Sequence, residues 1–223
     1  MNVLFFQTSI INVSKDPLNY NPIRSVYDPE TRLQQTIEGV NSVRAKYPSA
    51  KIFVCEASNL DDYQEKKLKE CSDNLILLHD VSEVKDTRNH SNKSLAEATQ
   101  VKHILSNPEI QNYDFVFKMS GRYWLSDSFN PSYIQNKNKA KVIVKKRFSN
   151  PYRHWFSTSL YCVGKYAIPM MINQLDKAIE ILKYNNTDIE STLFRGIENT
   201  YLIEVDSIGC SGRVAVNGEI INH

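Results

Sequence analysis

Apolar and polar positions along this chain switch repeatedly between a strand-like and a helix-like period. Residues 2–8 form a short, nearly continuous apolar run, the pattern of a buried strand, and a polar, proline-containing loop follows to about Glu30. Leu33, Ile37, Val40 and Val43 then recur at helical spacing, with Pro48 just past the end. Residues 51–57 predict a second strand with Glu56-Ala57-Ser58 at its carboxyl end, giving a β-α-β opening. Residues 61–71 read as a charged surface helix with little apolar face, 74–79 as a third strand, and 80–92 as a long mobile loop. Leu95, Ala98, Val101 and Ile104 mark an amphipathic helix opened by Asn92-Lys93-Ser94, and the aromatic run that begins at Tyr113 is a fourth strand.

The second half has more consecutive strands, at 141–145, 155–163, 201–205 and 214–216. Between them lie a helix started by Pro169, with Ile172, Leu175, Ile179 and Leu182 on its apolar face, and a helix over 187–197. Alternating strands and helices followed by strand pairs predict an α/β fold: a mostly parallel central sheet, helices on both faces and a mixed edge.

Composition changes this picture little. The chain has 223 residues, enough for one domain with a large core, and a formal charge of +2, which argues against wholesale coating of nucleic acid. Cys55, Cys71, Cys162 and Cys210 are scattered without a C-x-x-C pair, and two of them sit in apolar strand-like runs; reduced buried thiols are expected. The opening apolar run is too short for a signal peptide or a membrane span, so a cytoplasmic protein is expected, with Asn12-Val13-Ser14 a chance glycosylation match.

Candidate chemistry gathers at strand ends. Neither G-x-G-x-x-G nor G-x-x-x-x-G-K-[ST] is present, nor H-E-x-x-H, G-x-S-x-G or a paired-cysteine zinc motif. Thr8-Ser9, Glu56-Ala57-Ser58, His79-Asp80 and Lys118-Met119-Ser120-Gly121-Arg122 each follow a predicted strand, and parallel strands would bring them to one rim, where ligands of open α/β sheets bind. Hydroxyls, carboxylates and cations together suit a nucleotide with a diphosphate. Lys93 and Ser94 open a helix whose free N–H groups favour an anion, and Arg24 and Arg32 are similar candidate cations, each of which reads as solvated when judged separately. Thr187-x-x-Glu190 has the form of a capping box, while a carboxylate there, Glu190 or Asp188, also suits a general base. Trp155, with Tyr123, Trp124 and Tyr161, offers an aromatic wall to a sugar or base, and His154 stands in a basic segment able to attract an anionic acceptor. Glu204-Val205-Asp206 has the spacing of a D-x-D but lies in a late strand, so metal binding there is not expected.

Taken in order, these pieces resemble the nucleotide-sugar glycosyltransferases of the GT-A type, particularly small members that carry a K-x-S-G-R-Y segment. The resemblance rests on the β-α-β opening, Glu56-Ala57-Ser58, the helix start from Asn92 to Glu97, Lys118 to Tyr123, Asp188-Ile189-Glu190, and Gly209-Cys210-Ser211-Gly212-Arg213. It implies one GT-A-like domain over 1–223, with a nucleotide-sugar-binding half (1–125) and an acceptor-binding half (126–223). It implies a glycosyltransferase moving a sugar from a nucleotide-sugar donor to a hydroxyl acceptor, a glycan or, not excluded, a nucleic acid. Metal-dependent members hold a divalent cation with a D-x-D after the fourth strand; here Ser120-Gly121-Arg122 stands in that place, so no metal or other cofactor is required by the sequence, while a divalent cation, Mn or Mg, stays open without a D-x-D ligand. Lys93, Lys118, Arg122 and Arg213 would stabilise the departing diphosphate instead, with Thr8, Ser9, Arg32, Glu56, Ser58, Ser94, Ser120 and Gly121 lining the donor site and His154 and Trp155 the acceptor site. Asp188 or Glu190 would be the base. A non-catalytic nucleotide- or glycan-binding module on the same scaffold is the rival reading. A nucleotidyltransferase is a second, although it needs acidic metal ligands that the sequence does not offer.

Overall fold

The first strand, β1 (Val3–Ser9), is buried along its whole length and pairs in parallel with a strand on each side. The computed structural model of the protein describes residues 1–134, 138–150 and 153–223, with backbone alone at 133, 147–150 and 153–154. Helix α1 (Pro29–Lys46) begins at Asp28, whose carboxylate accepts from the backbone N–H of Thr31, and Pro29 suits the first turn, where no N–H is needed. Next come β2 (Lys51–Glu56), α2 (Asp62–Cys71), β3 (Asn74–Leu77), α3 (Ser82–Thr87), α4 (Lys93–Leu105), β4 (Phe115–Ser120) and β5 (Tyr123–Leu125). The second half adds β6 (Val142–Asn150), β7 (Arg153–Gly164), α5 (Ile168–Tyr184), α6 (Ile189–Thr192), β8 (Leu202–Val205), β9 (Cys210–Arg213) and β10 (Ile220–Asn222).

Seven strands make one sheet in the order β3-β2-β1-β4-β7-β6-β8. β3, β2, β1 and β4 are mutually parallel, and β7 runs antiparallel to both its neighbours, so the expected mixed edge lies in the second half. A small antiparallel sheet, β10-β9-β5, sits beside it. Strand alternation sends Phe5, Phe115 and Phe117 into one core with Leu33 and Val43 of α1, and Leu4, Phe6 and Val116 into another with Val101 of α4 and Leu175 of α5. The Phe5 and Phe117 rings stack at 4.4 Å in the first.

Several expectations change in the tertiary structure. The fourth strand does not give way to a loop at Lys118: β4 runs on through Ser120, the chain turns at Gly121-Arg122, and β5 joins the small sheet. Residues 80–92 contain α3, because Val84 finds a buried place against the second core. α2 is less superficial than its charge suggested, since Leu68 is fully buried. The helix expected over 187–197 is regular only over Ile189–Thr192, and Asp188, not Thr187, is its N-cap, accepting from Ser191 N. The last strands are β9 and β10, paired around the Gly218 turn, so the strand expected at 214–216 falls instead in the connection between them.

Candidate functional site

Parallel pairing brings the carboxyl ends of β1, β2 and β4 to one rim, and a cavity opens there beneath the amino-terminal half of α4. Its walls include Thr8, Ser9, Arg32, Lys93, Ser120, Gly121 and Arg122, seven residues singled out from the sequence, together with Arg24, Arg88, Glu97 and Gln100. Lys93, Glu97 and Gln100 lie at helical spacings of four and three on one face of α4. Residues 10, 13, 14 and 24 of the long first loop and Ala215 close it from outside, leaving about 80 Å³.

Gly121 lets β4 turn against β1. A Cβ there would stand 2.7 Å from the carbonyl oxygen of Thr8 and 3.0 Å from Cβ of Ser9, both at the cavity rim. The glycine thus serves the approach of two protein backbones. Gly121→Ala is expected to cost about 1–3 kcal/mol, read as a lower urea midpoint, because the strand end must move to admit one methyl group.

Five cations among the described residues line the cavity, but they are not equivalent. Arg24 donates to the carbonyls of Asp16, Asn89 and His90, so it stitches the first loop to the segment before α4. Arg32 donates to the Ile10 carbonyl and Ser25 Oγ, and Arg88 to the Ala57 carbonyl. Arg122 spends only Nε, on the Arg213 carbonyl at 3.0 Å. Its two terminal nitrogens and the Lys93 ammonium make no hydrogen bond to any described residue. Burial lowers the Lys93 pKa to about 8, assisted by the charges of Arg122 and Arg32 and opposed by those of Glu97 and Glu190. Burial likewise lowers the pKa of Arg32, and Arg122 adds to the effect. Positive charge crowded in this way is relieved by an anion. Binding of an anion raises the Lys93 pKa, so nucleoside diphosphate affinity is expected to fall as pH rises through about 8; titration calorimetry from pH 6.5 to 9.5, with Lys93→Met as the flat control, checks it.

Lys118 is placed differently from its expected role. Because β4 continues through Ser120, Lys118 lies within the strand on the α4 side and is fully buried, outside the cavity lining. Its ammonium donates to Glu97 Oε1, to Ser120 Oγ at 2.8 Å and to the Thr158 carbonyl at 2.7 Å. Burial works against ionisation of Glu97, but the charge and hydrogen bond of Lys118, with Lys93 and Arg122 beyond, hold its carboxyl below the usual range. Thr158 Oγ1 in turn donates to Glu190 Oε1 at 3.3 Å, so a short chain of contacts joins the cavity wall to Glu190. Glu190 also stands within electrostatic reach of Lys93 and of Tyr20, on the loop that covers the cavity.

Other predicted residues take structural places. Glu56 is fully buried, and its carboxylate accepts from Ile11 N, Ser58 N, Ser58 Oγ and Ser9 Oγ, tying the ends of β1 and β2 together; neither Glu56 nor Ser58 lines the cavity. Ser94 N donates to the Asn92 cap, outside the lining. Arg213 turns away: its guanidinium pairs with Glu38 at 2.9 Å and covers the Trp124 ring at 4.7 Å. Tyr123 and Tyr161 belong to separate cores, Tyr161 packing on Phe194, so no aromatic wall unites them with Trp155, which is half-buried at the start of β7. The side chain of His154 lies outside the described residues. Asp188 is occupied as the α6 cap. Glu204 pairs with Lys146 at 3.3 Å on the far edge of the sheet. The four cysteines are free thiols, and burial pushes Cys210 up to about 12 and Cys71 to about 11.

The donor set does not suit a divalent cation. Among the described residues no group of three His, Cys, Asp or Glu side chains converges, and the one acid lining the cavity, Glu97, is engaged by Lys118 among five cations. Hard divalent ions take several oxygen ligands, and even where a substrate's phosphates supply some of them a lone carboxylate already paired with one ammonium and surrounded by further cations is a poor protein anchor.

No protein-family model and no curated protein sequence matches the chain. Solved structures do resemble it. One is a glycosyltransferase involved in glycosylation of the major capsid of PBCV-1, at 7% identity and a TM-score of 0.51 over 92% of this chain and 82% of that one. A second is a galactosyltransferase solved with donor and acceptor sugar analogues, at 11% identity and 0.51 over 92% and 73%. A third is core-mannan synthase A from Aspergillus fumigatus in an Mn/GDP form, at 7% identity and 0.52 over 92% and 73%. The protein therefore has the α/β fold of GT-A nucleotide-diphospho-sugar glycosyltransferases. No helix among the described residues is long and apolar enough to cross a membrane.

Proposed function

We propose that the protein is a glycosyltransferase that moves a sugar from a nucleotide-sugar donor to a hydroxyl acceptor, with protein cations acting on the donor diphosphate. The observation that carries this reading is the pair Lys93 and Arg122, whose uncommitted donors face one cavity at the carboxyl ends of β1 and β4. Arg24, Arg32 and Arg88 strengthen the positive field there while holding the backbone around it. Sugar transfer breaks the bond between the anomeric carbon and the diphosphate oxygen, and the electron pair leaves on that oxygen. Fixed cations at that point stabilise the charge as it develops. The acceptor oxygen forms the new bond, and its proton passes to a carboxylate. Glu190 is our candidate for that base, since Asp188 is held by the first turn of α6.

The first 125 residues supply every cavity-lining residue except Ala215, which supports a donor-binding first half; Glu190 and Trp155 come from the second, where we place the acceptor. A nucleotide sugar needs far more than the present volume, so residues 10–28 must lift to admit it. The divalent ion in the Mn/GDP form of the structurally similar fungal enzyme has no counterpart in this reading.

The test is nucleoside diphosphate release from a panel of nucleotide sugars, with and without acceptor sugars and manganese. Release by the wild-type protein is expected, falling about 100-fold or more in Glu190→Gln at nearly unchanged melting temperature. Binding of a nucleotide sugar without any turnover would instead identify a non-catalytic binding module.

A further inference from the structure

One acid stands in a cavity that otherwise presents cations. Of the titratable side chains among the described lining residues, Arg24, Arg32, Arg88, Lys93 and Arg122 are positive, and Glu97 is the only negative one. A carboxylate at an anion site weakens the anion, so its presence there calls for a different partner. Its two oxygens are unequal. Oε1 is held by Lys118, whereas Oε2 makes no hydrogen bond to any described residue, and the side chain keeps 21% exposure on the cavity wall.

The pair is locked from below. Lys118 has no exposure, and its three protons go to Glu97, Ser120 Oγ and the Thr158 carbonyl. If Glu97 swung over to neutralise Lys93 or Arg122, a fully buried ammonium would lose its counter-charge, which is strongly unfavourable. Glu97 thus remains an ionised acceptor with one oxygen open to the cavity, and its natural complement is a neutral hydroxyl donor. The diphosphate group has none to offer, and the ribose hydroxyls of the nucleoside are common to donor and product alike. Only the transferred sugar, with several hydroxyls beside the diphosphate, adds donors that the product lacks.

We propose that Glu97, positioned by Lys118, accepts hydroxyl hydrogen bonds from the sugar of a nucleotide sugar bound in this cavity, and so distinguishes the sugar-bearing donor from the bare nucleoside diphosphate. The inference rests on the reading of the cavity as a donor site. It has a kinetic corollary: the same negative charge that favours the donor disfavours the product diphosphate and assists its departure.

Titration calorimetry with UDP, GDP, UDP-glucose, UDP-galactose and GDP-mannose, on wild type, Glu97→Gln and Lys118→Met, tests it. The glutamine side chain matches that of Glu97 in shape and still offers Lys118 a carbonyl, so the contact is kept while the lost counter-charge lowers stability, which a urea midpoint taken beside each titration reads separately from binding. The glutamine variant should bind the bare diphosphates at least as tightly as wild type and lose about tenfold or more of the preference for the sugar-bearing form, the scale of a hydrogen bond to a charged acceptor. Lys118→Met should show the same loss, and the double variant no more than Glu97→Gln alone, because Lys118 acts through Glu97. A purely structural role, or a contact to the ribose that every probe carries, would weaken diphosphate and sugar-bearing probes by one common factor, and that result, or an unchanged preference, overturns the proposal. If Lys118→Met does not fold, the glutamine variant decides alone. Failure of all five probes to bind the wild type would overturn the donor-site reading itself, and this inference with it; binding with preference intact in Glu97→Gln removes only the role of Glu97.

Discussion

Arg122→Glu is expected to weaken nucleoside diphosphate binding on the order of 1000-fold, with a folded protein and an almost unchanged urea midpoint. The size follows from charge. A guanidinium about 4 Å from a phosphate contributes about 4 kcal/mol at an effective dielectric near 20, which corresponds to roughly three decades of affinity before the new repulsion is counted. The small effect on stability follows from position: the side chain makes one hydrogen bond, from Nε to the Arg213 carbonyl, and it points into a cavity already crowded with positive charge. Replacing one member of a like-charged cluster relieves repulsion among the rest, since Arg122 is among the charges that depress the pKa of both Lys93 and Arg32. Calorimetric titration with UDP or GDP beside urea denaturation separates the two effects. Equal affinity in the variant would make Ser120-Gly121-Arg122 a structural turn and remove the central support of the proposed function.

Lys118→Ala should behave in the opposite way, costing about 3–5 kcal/mol of stability while leaving the cations of the cavity in place. Removing the ammonium orphans the Glu97 carboxylate, leaves Ser120 Oγ and the Thr158 carbonyl without their shared donor, and opens a void in a core bounded by Tyr161 and Val116. A double variant, Lys118→Ala with Glu97→Gln, should recover part of the loss, because the unpaired charge is gone although the void remains. Urea denaturation of wild type, both single variants and the double variant gives the coupling directly. A cost under about 1 kcal/mol for Lys118→Ala would show that the buried pair contributes little.

The contrast between these two neighbours, four residues apart, shows what could be read along the chain. Both are cations at the end of an apolar run, and nothing local separates them. Lys118 is a strand residue because β4 persists through Ser120, and the two-residue period of a strand turns it under α4. Arg122 lies past the end of the strand and turns toward the rim. Glu97 was visible only as part of a helix start; its signal was the spacing Lys93, Glu97, Gln100, a polar stripe beside the apolar face that would ordinarily face water. Arg24 read along the chain as a solvated cation and Arg88 carried no signal at all, since their places depend on where the first loop and α3 come to rest.

Local physics determined much of the rest. Hydrophobic period and breaker residues specified the β-α-β opening, the order of elements through β4 apart from α3, the long helix begun around Pro169, the buried thiols of Cys55 and Cys162 and the absence of the common phosphate-loop and zinc motifs. Those features depend on neighbours within one or two turns, which a single chain displays. The tertiary structure decided matters that depend on distant pairs: that β4 ends in a turn made possible by Gly121 beside Thr8, that Glu56 binds two strand ends together, that Arg213 pairs with Glu38, and that, among the described residues, one acid shares a cavity with five cations. Each is a meeting of residues tens of positions apart, fixed by strand order and register, and burial then determines which charges must find partners inside the protein and which remain available to a ligand.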